Sequence, residues 1–183
     1  MSLRYAILAV LSSADRSGYE ITKKVDGSVG FFWGAAHQQI YRELSRLEGE
    51  DCVSFREVPQ KGKPAKKVYA LTKVGKQELQ TWIASPLEAV PARDGLLIKM
   101  FSGHLVPTDT LRAELERHKK IHRQRYEEYR EIQSKYFKSP QKLPPKLQFQ
   151  YLTLQRGIIF EKGWLSWCSN TLKFLGRKSA GAY

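Results

Sequence analysis

The sequence predicts a mainly α-helical protein whose N-terminal part also contains a small two-stranded sheet. Apolar residues recur at helical spacing through most of the 183 residues. Two short alternating segments, VSFREV (53–58) and VYALT (68–72), flank the polar stretch PQKGKPAKK (59–67). Beyond residue 86 every segment has a helical pattern. We therefore expect an N-terminal domain over residues 1–86 and a helical domain over residues 87–183.

The N-terminal segments follow the order helix, helix, helix, strand, strand, helix. We expect helices over residues 3–11, 18–25 and 35–48, then the two strands. A last helix begins after Thr72 and ends before Pro86. This order is that of a winged helix-turn-helix domain, in which the third helix lies in the DNA major groove.

The third helix has one apolar face and one polar face. Ile40, Leu44 and Leu47 recur at intervals of four and three, so we expect them in the core. The other positions include glutamines, which pair with adenine edges, and an arginine, which pairs with guanine. Packing against the first two helices is the alternative for Gln39 and Tyr41. We predict DNA contacts by His37, Gln38, Gln39, Tyr41, Arg42 and Arg46.

The Lys-rich stretch between the strands is expected to contact the DNA backbone. Gly62 allows a tight bend, and ammonium groups bind phosphates without reading the base sequence. Ser17 and Tyr19 begin the second helix, where free N–H groups favour a phosphate; plain capping by Ser17 or Asp15 is the alternative. For this stretch we predict DNA contacts by Lys61, Lys63, Lys66 and Lys67.

The C-terminal domain is expected to contain a helical hairpin. A short helix over residues 93–102 precedes a long helix over 110–137 and a last helix over 146–175, and Ser139-Pro140 and Pro144-Pro145 bound the turn. The long helix has an inner stripe of Leu111, Leu115, His118, His122, Tyr126, Tyr129 and Tyr136.

The last helix is apolar on two faces, so it must pack against two partners. One partner is the preceding long helix, and the simplest second partner is another copy of the chain. We predict a dimer interface made by Leu147, Tyr151, Leu154, Ile158, Leu165 and Leu172. The second face carries Phe149, Leu152, Phe160, Trp164, Trp167 and Phe174.

Three aromatic residues of the second face, Phe160, Trp164 and Trp167, are candidate contacts for a flat small-molecule effector, with core or interface packing as the alternative. His118 and His122 have the four-residue spacing of a metal pair. No HExxH pattern accompanies them, so we expect them in the helix seam. We expect no metal and no cofactor.

The charge and composition limit the class of protein. The formal net charge of +13 favours an anionic partner, and residues 87–183 hold 18 Lys and Arg against 9 Asp and Glu. The longest apolar run, AILAVL (6–11), is too short for a membrane span, and the first residues do not resemble a signal peptide. We expect a soluble, cytoplasmic protein. No P-loop, dinucleotide-binding or GxSxG pattern occurs, so we expect no enzyme.

Several ordered segments resemble the PadR family of bacterial transcriptional regulators. They are SLRYAILAVL, SGYEI, FFWGAAHQQIYREL and GKPAKKVYALT, followed by ARDGLLIKMF and RGIIFEKGWLSW, which are similar to the C-terminal part of the longer members. The resemblance implies a homodimeric repressor that binds a pseudo-palindromic operator and is released by a small phenolic or other aromatic compound. Cys52 replaces a usual Gly, so we expect Gly49 or Asp51 in the left-handed conformation. Gly34 replaces a usual Pro.

Two alternatives differ in class from a sequence-specific regulator. A non-specific architectural protein that binds nucleic acid through its basic surface would show a steep salt dependence with little preference among sequences. A helical interaction module that uses the winged helix for protein contacts would not bind DNA at all. Measured binding to operator and competitor DNA distinguishes the three.

Overall fold

A computed structural model describes residues 3–25, 36–89 and 94–179. The chain splits into two compact units, Met1–Val90 and Pro91–Tyr183. Within the described ranges, no helix is both long enough and apolar enough to cross a membrane. Gly34 and the expected helix start at residue 35 lie outside the described residues.

The first unit confirms the expected winged helix-turn-helix and adds one strand. Its helices and strands agree with the expected order, apart from a two-residue strand before the second helix. They are α1 (Leu3–Leu11), β1 (Arg16–Ser17), α2 (Gly18–Lys24), α3 (His37–Gly49), β2 (Val53–Gln60), β3 (Lys63–Leu71) and α4 (Lys73–Ala84).

The sheet is antiparallel, with the strand order β1-β3-β2. We expected a nine-residue loop between β2 and β3, and this was wrong. Both strands continue until only Lys61 and Gly62 form the turn, and Gly62 has a φ of +70°. Lys67 lies opposite Glu57 across the strands, and its ammonium is 3.7 Å from the centroid of the Phe55 ring. These contacts stabilise strand structure in a lysine-rich segment.

One apolar core lies between helices α1, α2 and α3 and the sheet. The stripe Ile40, Leu44 and Leu47 of α3 is fully buried, as expected. It lies in one cluster with residues of α1, α2, α4 and the sheet. Burial of such side chains stabilises a fold by roughly 1.5–3 kcal/mol each. The stripe therefore fixes which face of α3 is turned away from the core.

The chain leaves α3 through a tight turn. Asp51 takes the left-handed conformation with a φ of 56°, as one of the two expected residues. The Cys52 N–H then donates to the Leu47 carbonyl over 2.8 Å, and the Cys52 carbonyl accepts from the Thr72 N–H. Gly75 of α4 packs against this carbonyl so closely that a Cβ would lie 2.0 Å from its oxygen. Only glycine fits there.

A charged cluster joins the end of α3 to α1 and α4. The Arg4 guanidinium donates to the Glu78 carboxylate and forms an ion pair with Glu50. Arg46 of α3 also reaches Glu50, at 3.0 Å. Burial raises the pKa of the Cys52 thiol to about 11, so the neutral thiol donates to Glu78 over 3.1 Å. This cluster, which we call the Arg4 junction, holds the end of the helix by hydrogen bonds as well as by apolar packing.

The second unit is helical. Its elements are α5 (Gly95–Phe101), a 3-10 turn (Gly103–Leu105), α6 (Thr108–Tyr136), a second 3-10 turn (Pro140–Lys142) and α7 (Pro145–Ser179). α6 and α7 pack along their length and form the expected hairpin. Two apolar clusters fill the seam between them, one beside α5 and one near the connecting turn.

The inner stripe of α6 was correct at most positions. Leu111, Leu115, His122 and Tyr129 are buried. Tyr136 is 58% exposed, so its assignment to the stripe was wrong. The helix ends at this residue, and the following Phe137 turns into the core in its place.

We predict that acid destabilises the first unit through the Arg4 junction. The Arg4 hydrogen bond lowers the pKa of the Glu78 carboxyl below its ordinary value of 4.5. A depressed folded-state pKa stabilises the fold above the unfolded-state value, and this stabilisation is lost as the pH falls through the folded-state value. The free energy of unfolding, measured in urea, should therefore fall between about pH 5 and pH 3. Glu78→Gln should show a smaller fall.

The matched control is Glu88→Gln, which removes an exposed carboxyl with no ion pair in the described part of the chain. This variant should keep the wild-type pH dependence. Equal pH profiles for Glu78→Gln and the wild type would contradict a role for the junction in acid stability.

Candidate nucleic-acid interface

The face of α3 opposite its buried stripe is polar and exposed. Gln38 and Arg42 are separated by one helical turn, and both side chains point away from the core. Neither makes a hydrogen bond or ion pair within the described part of the chain. Ser45 continues the same row at the next turn and is also exposed. Sequence reasoning missed Ser45, although its seven-residue distance from Gln38 was a usable signal. The three form the recognition row.

The remaining predicted residues of α3 lie beside this row. His37 is exposed at the first position of the helix. The Gln39 side-chain oxygen accepts from the Ala36 N–H over 3.1 Å, which caps the helix start. Arg46 is exposed but pairs with Glu50 in the Arg4 junction. Gln39 and Arg46 therefore have structural partners that Gln38 and Arg42 lack.

Tyr41 packs against α2 and is also partly exposed to solvent. Its ring lies over Gly18 at the start of α2, where a Cβ would be 2.6 Å from Cε1 of the ring. The side chain is still 48% exposed. Packing against α2 was the alternative role for Tyr41, and the structure shows that contact while about half of the residue stays exposed.

At the start of α2, Ser17 is a capping residue. It is buried, and its hydroxyl donates to the Glu20 carboxylate while accepting from the Glu20 N–H in a capping box. The hydrogen bonds from Ser17 lower the pKa of the Glu20 carboxyl, and nearby Lys66 lowers it further. A phosphate contact by the Ser17 hydroxyl would displace this carboxylate. Tyr19 is 61% exposed and stays a candidate contact.

Strands β2 and β3 and the turn between them form the wing, and its lysines lie on or beside paired strands and not on a long loop. Lys61 is exposed at the turn, whereas Lys66 is half-buried within β3. The Lys67 ammonium is exposed and held over the Phe55 ring. The Lys63 side chain lies outside the described part of the structure. The antiparallel pair β2–β3 therefore supports the basic turn at the end of the wing with backbone hydrogen bonds.

The second unit places the predicted interface residues against its own chain. Leu154, Ile158 and Leu172 are buried in the two clusters of the α6–α7 seam. Leu147 and Tyr151 pack on the edge of the seam, and Leu165 is half-buried. The three fully buried residues leave almost no surface for a partner, because α6 already covers them.

The aromatic residues of α7 are divided between the seam and the surface. Trp164 stacks on His122 with ring centroids 4.4 Å apart, and Trp167 meets Trp164 edge-on at 5.3 Å. Phe160 is 46% exposed. The His122 Nδ1–H donates to the buried Glu161 carboxylate, a partner on α7 that the sequence did not indicate. His122 is thus a seam residue, as expected, and no group of three metal-binding side chains occurs in the described ranges.

Comparison with known proteins matches both halves of the chain. Residues 7–81 match the transcriptional regulator PadR-like family, and residues 92–176 match the virulence activator alpha C-terminal family. A probable transcriptional regulator of Mycobacterium tuberculosis is 33% identical over 97% of this chain and 100% of its own length. The negative transcriptional regulator PadR of Bacillus subtilis is 31% identical over 96% of this chain and 98% of its own.

Solved structures agree with the sequence relatives. The B. subtilis PadR structure in complex with operator DNA has a TM-score of 0.82 and 29% identity, and covers 94% of this chain and 98% of that one. The Vibrio cholerae virulence activator AphA has a TM-score of 0.78 and 30% identity, over 97% and 99% of the two chains. Another structure of B. subtilis PadR contains p-coumaric acid. With both halves matched in order, this chain belongs to the PadR-like family of transcriptional regulators.

Proposed function

We propose that this protein is a sequence-specific DNA-binding regulator that acts as a homodimeric repressor. The observation that carries the proposal is the recognition row, Gln38, Arg42 and Ser45. These side chains lie opposite a fully buried stripe and are without partners in the described structure. The B. subtilis relative, a negative regulator, has been crystallised on operator DNA, which supports repression.

The recognition row suits direct reading of base pairs. Gln38 offers both a donor and an acceptor to adenine, and Arg42 offers a pair of donors to guanine. Each such bidentate pairing discriminates against a wrong base by roughly 1–3 kcal/mol. We assign phosphate contacts to Tyr41, His37 and the wing lysine Lys61; such contacts position the domain without reading the sequence.

A second copy of the chain is the proposed partner of the outer face of α7. The face opposite the seam carries exposed apolar side chains along the length of the helix. Gly163 lies on the same face with no atom near its Cβ position, so another helix has room to approach closely. The proposed interface therefore moves from the seam residues to Phe149, Leu152, Ile159, Phe160 and Phe174.

A two-fold dimer presents two copies of α3 to the DNA. Its operator should then contain two related half-sites separated by a whole number of helical turns, about 10–10.5 bp each. We propose that a small aromatic effector releases the operator by favouring a dimer shape in which this spacing is lost. Such a ligand acts only through a difference in affinity for the two shapes.

We predict different losses for base-reading and phosphate-binding residues. Gln38→Ala or Arg42→Ala should weaken operator binding by about 1–3 kcal/mol and relax base preference at one position of each half-site. Lys61→Ala should weaken binding to all sequences and lower the slope of log K against log salt by about one per protomer, or about two for the dimer. Fluorescence anisotropy with operator and single-substituted duplexes measures both effects.

Lys76→Ala is the control for this experiment, because it removes an exposed lysine from α4 with the same change in charge. It should bind operator like the wild type. If Gln38→Ala and Arg42→Ala kept the wild-type base preference at every position, the proposed recognition row would be incorrect.

We predict that charges on the outer face of α7 dissociate the dimer. Leu152→Asp combined with Ile159→Asp should give a folded monomer in light scattering, since both residues are more than half exposed within one chain. Ser169→Asp, an exposed position on the same helix, should remain dimeric. Leu172→Asp should instead unfold the unit, because Leu172 is buried beside Leu115 and Cys168. A dimer that survives the double substitution would place the interface elsewhere.

We predict that a phenolic acid binds the dimer and lowers its affinity for the operator. The p-coumaric acid found in the B. subtilis relative is the first compound to use. Calorimetry should show binding, and Phe160→Ala should weaken it if this exposed ring contacts the ligand. Trp164 is a less accessible contact because its ring is stacked on His122. No heat of binding and no change in operator affinity would remove this compound as an effector.

A further inference from the structure

The end of the helical hairpin carries positive charge that the proposed function does not use. This segment, residues 130–146, comprises about the last two turns of α6, the connecting 3-10 turn and the start of α7. We call it the hairpin tip. It holds one acid, Glu131, and five basic residues, and all six are exposed. The basic residues are Arg130, Lys135, Lys138, Lys142 and Lys146.

Three basic residues near the opposite end of the hairpin form ion pairs. Lys99 of α5 lies 2.9 Å from the Glu114 carboxylate, and Arg117 lies 2.8 Å from the other oxygen of the same group. Arg112 is within 3.9 Å of Asp109. Lys99 and Arg117 share one carboxylate, so these ion pairs offset part of the positive charge at that end.

The basic residues of the hairpin tip have other contacts. The Arg130 guanidinium donates to the Gln133 side chain over 2.7 Å, and the Lys135 ammonium lies 5.2 Å from the centroid of the Tyr136 ring. None of the five basic residues forms an ion pair within the described part of the chain. Lys146 also lies in the first turn of α7, where the helix dipole already favours an anion over a cation.

Five exposed like charges in one short segment repel one another, and an anionic partner relieves that repulsion. Arg130 and Lys138 border one surface depression, and all five basic residues are exposed, so they suit an extended anion with regularly spaced charges. The phosphate backbone of duplex DNA has this chemistry, and the proposed function brings DNA to the protein.

We propose that the hairpin tip binds the phosphate backbone of DNA outside the operator half-sites. This inference rests on the proposed function, because operator binding supplies the DNA. It assigns the basic excess of the helical unit to sequence-independent contacts, which add affinity and salt dependence without altering base preference. The winged helix then selects the site, and the tip strengthens binding wherever flanking DNA is present.

Salt titrations on two lengths of DNA test the inference. The full-length protein is bound to a minimal operator duplex and to the same operator extended by about 20 bp on each side, roughly two helical turns. Each phosphate neutralised adds about 0.9 to the magnitude of the slope of log K against log salt. The wild type should show a slope steeper by about 2–4 on the long duplex.

The variant Lys138→Gln with Lys142→Gln removes two charges from the tip, and Lys120→Gln with Arg123→Gln removes two exposed charges from the middle of α6. Because the proposed dimer loses four charges, the tip variant should lose most of the extra slope on the long duplex and keep wild-type binding to the short duplex. The mid-helix variant should behave like the wild type on both. Unchanged binding to the short duplex also shows that each variant is folded.

The outcomes separate this inference from the proposed function. Specific binding to the short duplex with equal slopes on both lengths would overturn the role of the tip and leave the operator-binding proposal intact. Equal losses in the two variants would overturn it as well, because general charge would then explain the slope. Failure of the wild type to prefer the short operator over a scrambled duplex would overturn both proposals.

Discussion

The burial of one apolar stripe on α3 determines how the first unit can act. Ile40, Leu44 and Leu47 are fully buried against the other helices, so the helix has a single permitted rotation about its axis. Turning it by one residue, about 100°, would expose this stripe and bury polar side chains without partners. The rotation places Gln38, Arg42 and Ser45 outward. The base reading that we propose for these residues thus depends on core packing on the opposite side of the helix.

The Arg4 junction and the tight turn at Cys52 add a second constraint at the end of α3. Apolar packing alone fixes rotation better than it fixes position along the axis. The Cys52 N–H to Leu47 carbonyl bond and the pairing of Arg4 with Glu50 and Glu78 tie this end to α1 and α4. The close approach of Gly75 leaves no space for displacement. The helix is therefore presented as part of a rigid surface, which suits geometric recognition.

In the second unit, the division of α7 into a buried and an exposed apolar face underlies the dimer proposal. One face packs against α6, and the other is exposed to solvent in a single chain. A soluble monomer rarely exposes so many large apolar groups along one helix. The same unit holds most of the excess positive charge, and the hairpin tip carries five of its basic residues against one acid. Association and electrostatic contact with DNA are thus assigned to different surfaces of one hairpin.

The helices and the core of α3 were predictable from the sequence because periodicity records burial directly. The strands beyond Val58 were not, because lysines are poor strand formers in isolation and the pairing of Lys67 with Glu57 and Phe55 is visible only in three dimensions. The sequence also could not distinguish which apolar face of α7 packs within its own chain. Two apolar faces were evident, but only the structure shows that Leu154, Ile158 and Leu172 of α7 pack against α6.

Selection from random duplex DNA tests the central claim most directly. If α3 of each protomer reads one half-site through Gln38, Arg42 and Ser45, the purified protein should enrich a pseudo-palindrome. Its half-sites should lie a whole number of turns apart, about 10–10.5 bp per turn. An enriched pool with no common motif, despite tight and salt-dependent binding, would contradict sequence-specific recognition and indicate a protein that binds DNA through charge alone.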